Sequence, residues 1–204
     1  MTDVASLDEM RKTPEYQAQL AQLGNREWRL DNLYWIKNEE GIAIPFRRNE
    51  PQRDYSRREW FRDCILKSRK LGFSTFIAIE MLDGSVFSSN QVGGIIDRTL
   101  DDAKAKLSMV KFAYERMPES LRMANPLVVD NQEELKWQNG SSIVAGTSYR
   151  GDTPQRLWIS EYGPIAAKNP LMAKEIKTGS ITTKPCLMSL SQLLAKTAHS
   201  VKWI

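Results

Sequence analysis

The sequence predicts an α/β domain with a mainly parallel sheet flanked by helices, and three observations predict it. Short apolar runs at residues 64–66, 92–96 and 157–159 have the length of buried strands. Residues 74–82, 100–117 and 166–176 carry helical spacing or composition. The two kinds of segment alternate along the chain, as parallel strands joined by helical crossovers require. A chain of 204 residues is long enough for one such domain with a small appendage.

The order begins with an attached segment. Residues 5–23 form a plausible amphipathic helix that Gly24 ends. Residues 33–36 and 42–46 flank Asn38-Glu-Glu-Gly41, the pattern of a small hairpin, and Pro45 and Pro51 bracket an extended stretch leading into Gln52. The strand at 64–66 is followed by a loop containing Gly72. The helix after it places Phe73, Phe76, Ile77 and Met81 on one side. Residues 92–96 are the next buried strand. The helix at 100–117 carries Leu107, Val110, Phe112 and Tyr114, and Pro118 stops it. Residues 135–137 and 143–145 surround Asn139-Gly140, which predicts a type I′ hairpin. The strand at 157–159 and a helix over 166–176 complete the pattern.

Composition sets outer limits. The 29 Lys+Arg against 25 Asp+Glu give a net charge of +4, which permits an acidic partner without demanding one. No apolar run reaches membrane-spanning length, and the first 13 residues lack the apolar core of a signal peptide. Cys64, Cys186 and His199 are too few for a zinc site of cysteines and histidines, and two thiols suit a reducing cytoplasm.

Two segments carry chemistry. Lys67-Ser-Arg-Lys-Leu-Gly-Phe-Ser-Thr75 lies between a strand and a helix, where free N–H groups and the helix dipole favour an anion. Against the pattern G-x-x-x-x-G-K-[ST], Lys67 stands at the first glycine and Phe73 at the lysine, while Gly72 and Ser74 keep their places. Leu157-Trp-Ile-Ser-Glu161 is a hydrophobic strand with an acidic end, the form in which carboxylates hold magnesium or orient water. Either segment alone also reads as a basic surface turn or a core strand with a solvated end. The crowded Arg47, Arg48, Arg53, Arg57, Arg58 and Arg62, interleaved with Tyr55, Trp60 and Phe61, fit DNA phosphate contact or a solvated face.

In order and spacing these residues resemble the phage terminase large subunits, ATP-driven motors that package DNA into proheads. The resemblance runs from about Trp28 to Gly179. It includes Pro45-Phe46, Gln52, the loop at 68–75, Asn139-Gly-Ser-Ser142, Arg150-Gly151, Ile159-Ser-Glu-Tyr-Gly163 and Thr178-Gly-Ser180. It implies a P-loop NTPase-like sheet with a small N-terminal helical and hairpin segment, using ATP and magnesium. Glu161 and Arg69 then match catalytic residues, one polarising water and one reaching the phosphates. Gln52 matches a glutamine that reads adenine. Lys67, Ser68, Lys70, Leu71, Gly72, Phe73, Ser74 and Thr75 match the nucleotide loop, with Ser74 as magnesium ligand. Thr178, Gly179 and Ser180 match a coupling motif. Phe73 for lysine and Ser160 for aspartate depart from the pattern.

The implied function is ATP hydrolysis coupled to DNA translocation in the host cytoplasm. Double-stranded DNA, a terminase small subunit, the portal of the prohead and further copies of the chain are the implied partners, with no membrane. The alternative is a non-catalytic remnant that at most binds nucleotide or partners. A helicase-like ATPase fits less well, because it needs a second motor domain.

Residues 1–45 are read as an N-terminal appendage, 46–183 as the ATPase domain and 184–204 as an atypical tail lacking the family's next strand and nuclease domain. Leu190-Ser-Gln-Leu-Leu194 has an alternative reading frame giving Glu-Ser-Thr-Ala, similar to the family's continuation. A frameshift near residues 183–185 is therefore expected, leaving the sheet one strand short.

Overall fold

The computed structural model describes residue 9 and residues 11–60, 62–67, 70–148, 154–180, 186–191 and 202–203. Its first helix, α1 (Pro14–Gly24), starts where Thr13 caps the Tyr16 N–H at 3.3 Å and proline occupies the first turn. Asn25 separates it from α2 (Arg26–Asn32), capping the Trp28 N–H. A hairpin of β1 (Trp35–Lys37) and β2 (Ala43–Pro45) follows, with Gly41 at φ +80° in its turn.

The stretch bracketed by Pro45 and Pro51 is non-helical only as far as Asn49, and α3 (Glu50–Arg58) begins inside it. Asn49 accepts the Gln52 N–H at 3.1 Å while the Gln52 side chain accepts the Asn49 N–H at 3.0 Å, a reciprocal capping box. Proline in a first helical turn lacks only a donor that would be unpaired anyway, so Pro51 starts this helix.

Beyond it, β3 (Arg62–Lys67) leads through the loop to α4 (Phe73–Phe87), then β4 (Val92–Ile96), α5 (Leu100–Glu115) and α6 (Glu119–Ala124). Strands β5 (Leu127–Asp130), β6 (Glu134–Trp137) and β7 (Ser142–Gly146) form an antiparallel meander. The β6–β7 turn is not type I′, which needs positive φ at both central residues. Only Gly140 has it (φ +83°), its N–H bonds to Trp137 O, and Trp137 N–H bonds to Ser141 O. This is a type I turn closed by a left-handed glycine.

After β8 (Arg156–Ile159), the helix expected over 166–176 is two, α7 (Tyr162–Lys168) and α8 (Pro170–Ser180). Pro170 cannot continue a helix but starts one, and Asn169 accepts the Met172 N–H at its head. The tail corrects another expectation. Cys186–Ser191 forms β9, parallel to β3 on one side and β8 on the other, and Lys202–Trp203 forms β10 against β3.

The eight strands run β10-β3-β9-β8-β4-β7-β6-β5, parallel from β10 to β7. Along β8, Trp158 joins a core with α4 and α5, while Leu157 and Ile159 join Ile165, Ala173 and Ile176 from α7 and α8. The period of two covers both faces of the sheet with helices. Leu30, Leu33, Tyr34 and Phe46 belong to the α4–α5 core. Arg29 makes a two-pronged pair with Asp83 at 2.8 and 2.7 Å, and Tyr34 donates to the same carboxylate at 2.7 Å. Breaking one side of such a buried pair costs about 3–5 kcal/mol.

Candidate nucleotide site

The parallel strands place the ends of β3 and β8 at one edge of the sheet. Register through β9 puts Cys64 and Ile159 level with Met188. The loop after Lys67 and the acidic end at Glu161 therefore project on the same side, two strand spacings or about 10 Å apart. Of the three described non-glycine residues with positive φ, two lie in these segments: Lys70 at +65° and Glu161 at +55°. Side chains rarely accept that backbone, which costs on the order of 1–2 kcal/mol.

The loop is fixed at its helix end. Gly72 sits at φ +69° immediately before α4, and a Cβ there would lie 2.9 Å from Gln52 Nε2. The Leu71 carbonyl accepts from Asn49 Nδ2 at 3.1 Å and from Gln52 Nε2 at 3.2 Å. Among the described residues no side chain caps the start of α4 and no acid lies in its first turn, the kind of helix start that favours an anion. Ser74 and Thr75 are half-buried in that turn. Lys70 is exposed, and its ammonium lies 3.4 Å from Glu39 of the β1–β2 turn.

Phe73, at the position of the motif lysine, is wholly buried. Its ring meets Tyr55 and Phe76 edge-on, with centroids 5.8 and 6.0 Å away. Tyr55 donates to Asp63 at 3.0 Å, and burial first, then the Asp63 charge, raises its hydroxyl pKa. The aromatic trio therefore bolts α4 to α3 and offers nothing to a phosphate.

At the other strand end Ser160 is 2% exposed and its N–H bonds to Ile96 O at 2.8 Å. Next to it on β4's end is Asp97, 1% exposed, paired with Lys106 and accepting the Arg98 N–H at 2.6 Å. Asp97 was missed in the sequence because a lone acid after a strand looks like any loop aspartate. Asn49 was also missed, though Asn49-Glu-Pro-Gln52 is a legible capping pattern.

Other expected site residues fall elsewhere. Ser68, Arg69, Arg150 and Gly151 lie outside the described residues, as does the side chain of Lys67. Thr178, Gly179 and Ser180 close α8, with side chains outside the description. Three arginines of the basic run are paired within the chain: Arg48 is buried against Asp31 and Glu27, Arg53 lies 3.6 Å from Asp31, and Arg58 pairs with Asp54. Arg47 and Arg57 stay exposed.

Among the described residues no group of three His, Cys, Asp or Glu can hold a metal alone. A serine hydroxyl and one carboxylate fit magnesium only when phosphates supply most of its oxygens. No helix of the described residues is long and apolar enough to cross a membrane.

No family model and no curated protein matches the chain. Solved structures do. The large terminase ATPase domain of Thermus phage P74-26 superposes with a TM-score of 0.56 at 15% identity, covering 78% of this chain and 71% of that one. The large terminase of bacteriophage HK97 superposes with a TM-score of 0.57 at 18% identity, covering 76% of this chain and 35% of that one. The chain thus has the fold of phage large terminase ATPase domains and spans about a third of the HK97 chain.

Proposed function

We propose that this chain is the ATPase module of a viral DNA-packaging motor, hydrolysing ATP at the edge where β3 and β8 end. The observation that carries the reading is the pairing of an uncapped helix start behind Gly72 with an acidic strand end at Glu161, both on left-handed backbone. Open N–H groups of the α4 turn and the Ser74 and Thr75 hydroxyls would receive the phosphates. Lys67, Ser68, Arg69 and Lys70 would line them with charge and hydrogen bonds. The Glu161 carboxylate would accept a proton from the attacking water and aim it in line with the terminal phosphate. The Ser74 hydroxyl would help hold magnesium, and the chemistry that ion would supply is neutralisation of phosphate charge. Helix α8, which follows α7 and ends in Thr178-Gly179-Ser180, would carry the change outward. DNA, a small subunit, the portal of a prohead and further copies of the chain are the partners this reading implies, with Arg47 and Arg57 available to DNA phosphates.

A second reading has its own observation. Phe73 is packed into the core where the motif has lysine, and Ser160 stands where it has aspartate, which suits a nucleotide-binding module without turnover. Phosphate release from Mg-ATP by the wild-type chain, against Glu161→Gln, separates the two. The motor reading expects turnover that falls about 10²–10⁴-fold in the variant with ATP still bound. Saturable binding with equal, background-level release from both proteins selects the binding module.

A further inference from the structure

We infer that Gln52 is a positioning residue for the phosphate loop and not a reader of the base, so that the site grips a nucleoside triphosphate by its phosphates and distinguishes adenine from guanine weakly. The inference rests on the nucleotide-binding reading above and names what that site selects.

Reading adenine with a side-chain amide takes one donor and one acceptor presented together to the base edge. Gln52 is 3% exposed, and both ends of its amide are engaged by the protein. Its oxygen accepts the Asn49 N–H at 3.0 Å, completing the cap of α3. Its nitrogen donates to the Leu71 carbonyl at 3.2 Å, beside Asn49 Nδ2 at 3.1 Å. That carbonyl precedes Gly72, and a trans peptide points its C=O and N–H in opposite directions. Holding Leu71 O against α3 therefore turns the Gly72 N–H away from α3, to the open side of the loop. The contact also reads residue size: the amide nitrogen occupies the space a Gly72 Cβ would need. Gln52 thus sets the direction of a phosphate-facing donor through Leu71, and at 3% exposure its amide offers no surface edge to a base.

The test titrates Mg-tripolyphosphate, Mg-ATP and Mg-GTP into the wild-type chain, Gln52→Ala and Gln52→Glu. The glutamate variant keeps the oxygen that caps α3 and replaces the donor to Leu71 O by an acceptor, so it isolates the loop contact if the alanine variant folds poorly. Wild-type affinities for ATP and GTP are expected within about threefold. Gln52→Glu is expected to weaken tripolyphosphate, ATP and GTP by the same factor, about tenfold, as loss of one hydrogen bond allows. A wild-type preference for ATP above tenfold that vanishes in the Gln52 variants, with tripolyphosphate affinity unchanged, overturns the inference and makes Gln52 the base reader. A wild-type chain that binds tripolyphosphate and both nucleotides equally, with none weakened in Gln52→Glu, overturns the positioning role. No saturable binding of any of the three overturns the nucleotide-binding reading itself, and this inference with it.

Discussion

The two strand ends of the candidate site are built by opposite means. Behind β3, side chains lock the loop: Asn49 and Gln52 hold the Leu71 carbonyl, and Phe73 is sunk between Tyr55 and Phe76. Behind β8, among the described residues, side-chain contacts are fewer and include the Tyr162 hydroxyl donating to the Ala173 carbonyl at 3.4 Å. Ser160 hangs on one N–H to Ile96, Glu161 turns into the left-handed region, and the seven-residue α7 that follows buries only Ile165. One end tolerates loss of strain-bearing backbone poorly but carries many contacts. At the other, Glu161 stands on left-handed backbone just before a short helix. The difference teaches where substitution should cost stability and where it should cost turnover.

The sharpest way to break the comparison is Phe73→Ala. A wholly buried ring at the junction of α3 and α4 should cost about 3–5 kcal/mol, read by urea unfolding. A loss below 1 kcal/mol would show that the aromatic trio does not anchor the loop helix. Next comes Glu80, within α4, whose carbonyl accepts from Arg156 at the start of β8 at 3.2 Å while Arg26 pairs with its carboxylate. Burial pushes the Glu80 carboxyl from 4.5 up to about 7, opposed by the Arg26 charge. The folded chain then holds a proton that the unfolded chain releases, so this group's contribution to stability falls as pH rises from about 4.5 to about 7. Unfolding free energy measured between pH 5 and 7.5 should decline, on the order of 2–3 kcal/mol, and flatten in Glu80→Gln. An unchanged slope in the variant would remove Glu80 as its source.

Smaller still is Gly72→Ala, which places a Cβ at φ +69° and 2.9 Å from Gln52 Nε2. It should destabilise by about 1–2 kcal/mol and loosen nucleotide binding, both visible in one thermal shift series with and without Mg-ATP. The smallest effect is at the other end. Glu161→Gly should be about 1 kcal/mol more stable than Glu161→Ala, because only glycine takes φ +55° without strain. Equal stability of the two would mean that Glu161's backbone is not strained.

Much of this was legible in the sequence where one signal dominated. The strand at 92–96 and the helix from Leu100 came directly from apolar run and helical spacing. Legibility failed where a residue has two uses. Pro51 was read as closing an extended stretch and Pro170 was passed over inside a single helix, yet both lie in first helical turns. Asn139-Gly140 was read as a two-residue turn, but only the glycine adopts positive φ. Residues 186–191 look unpromising alone, and become a strand because β3 and β8 leave a slot between two parallel ladders. In the site, glycine, hydroxyls and the acidic strand end were found from pattern. So was the packing of Phe73 on the apolar side of α4, but the double hold on Leu71 O was not, since it depends on α3 folding back beside the loop.

The central claim is that the β3 loop and the β8 end form one nucleotide site. Amide hydrogen exchange of the wild-type chain, with and without saturating Mg-ATP, tests it most directly. The account predicts that ATP slows exchange at residues 72–76 and at residues 160–162 together, with one midpoint as ATP is titrated. Protection of one segment without the other, or of neither, would contradict it.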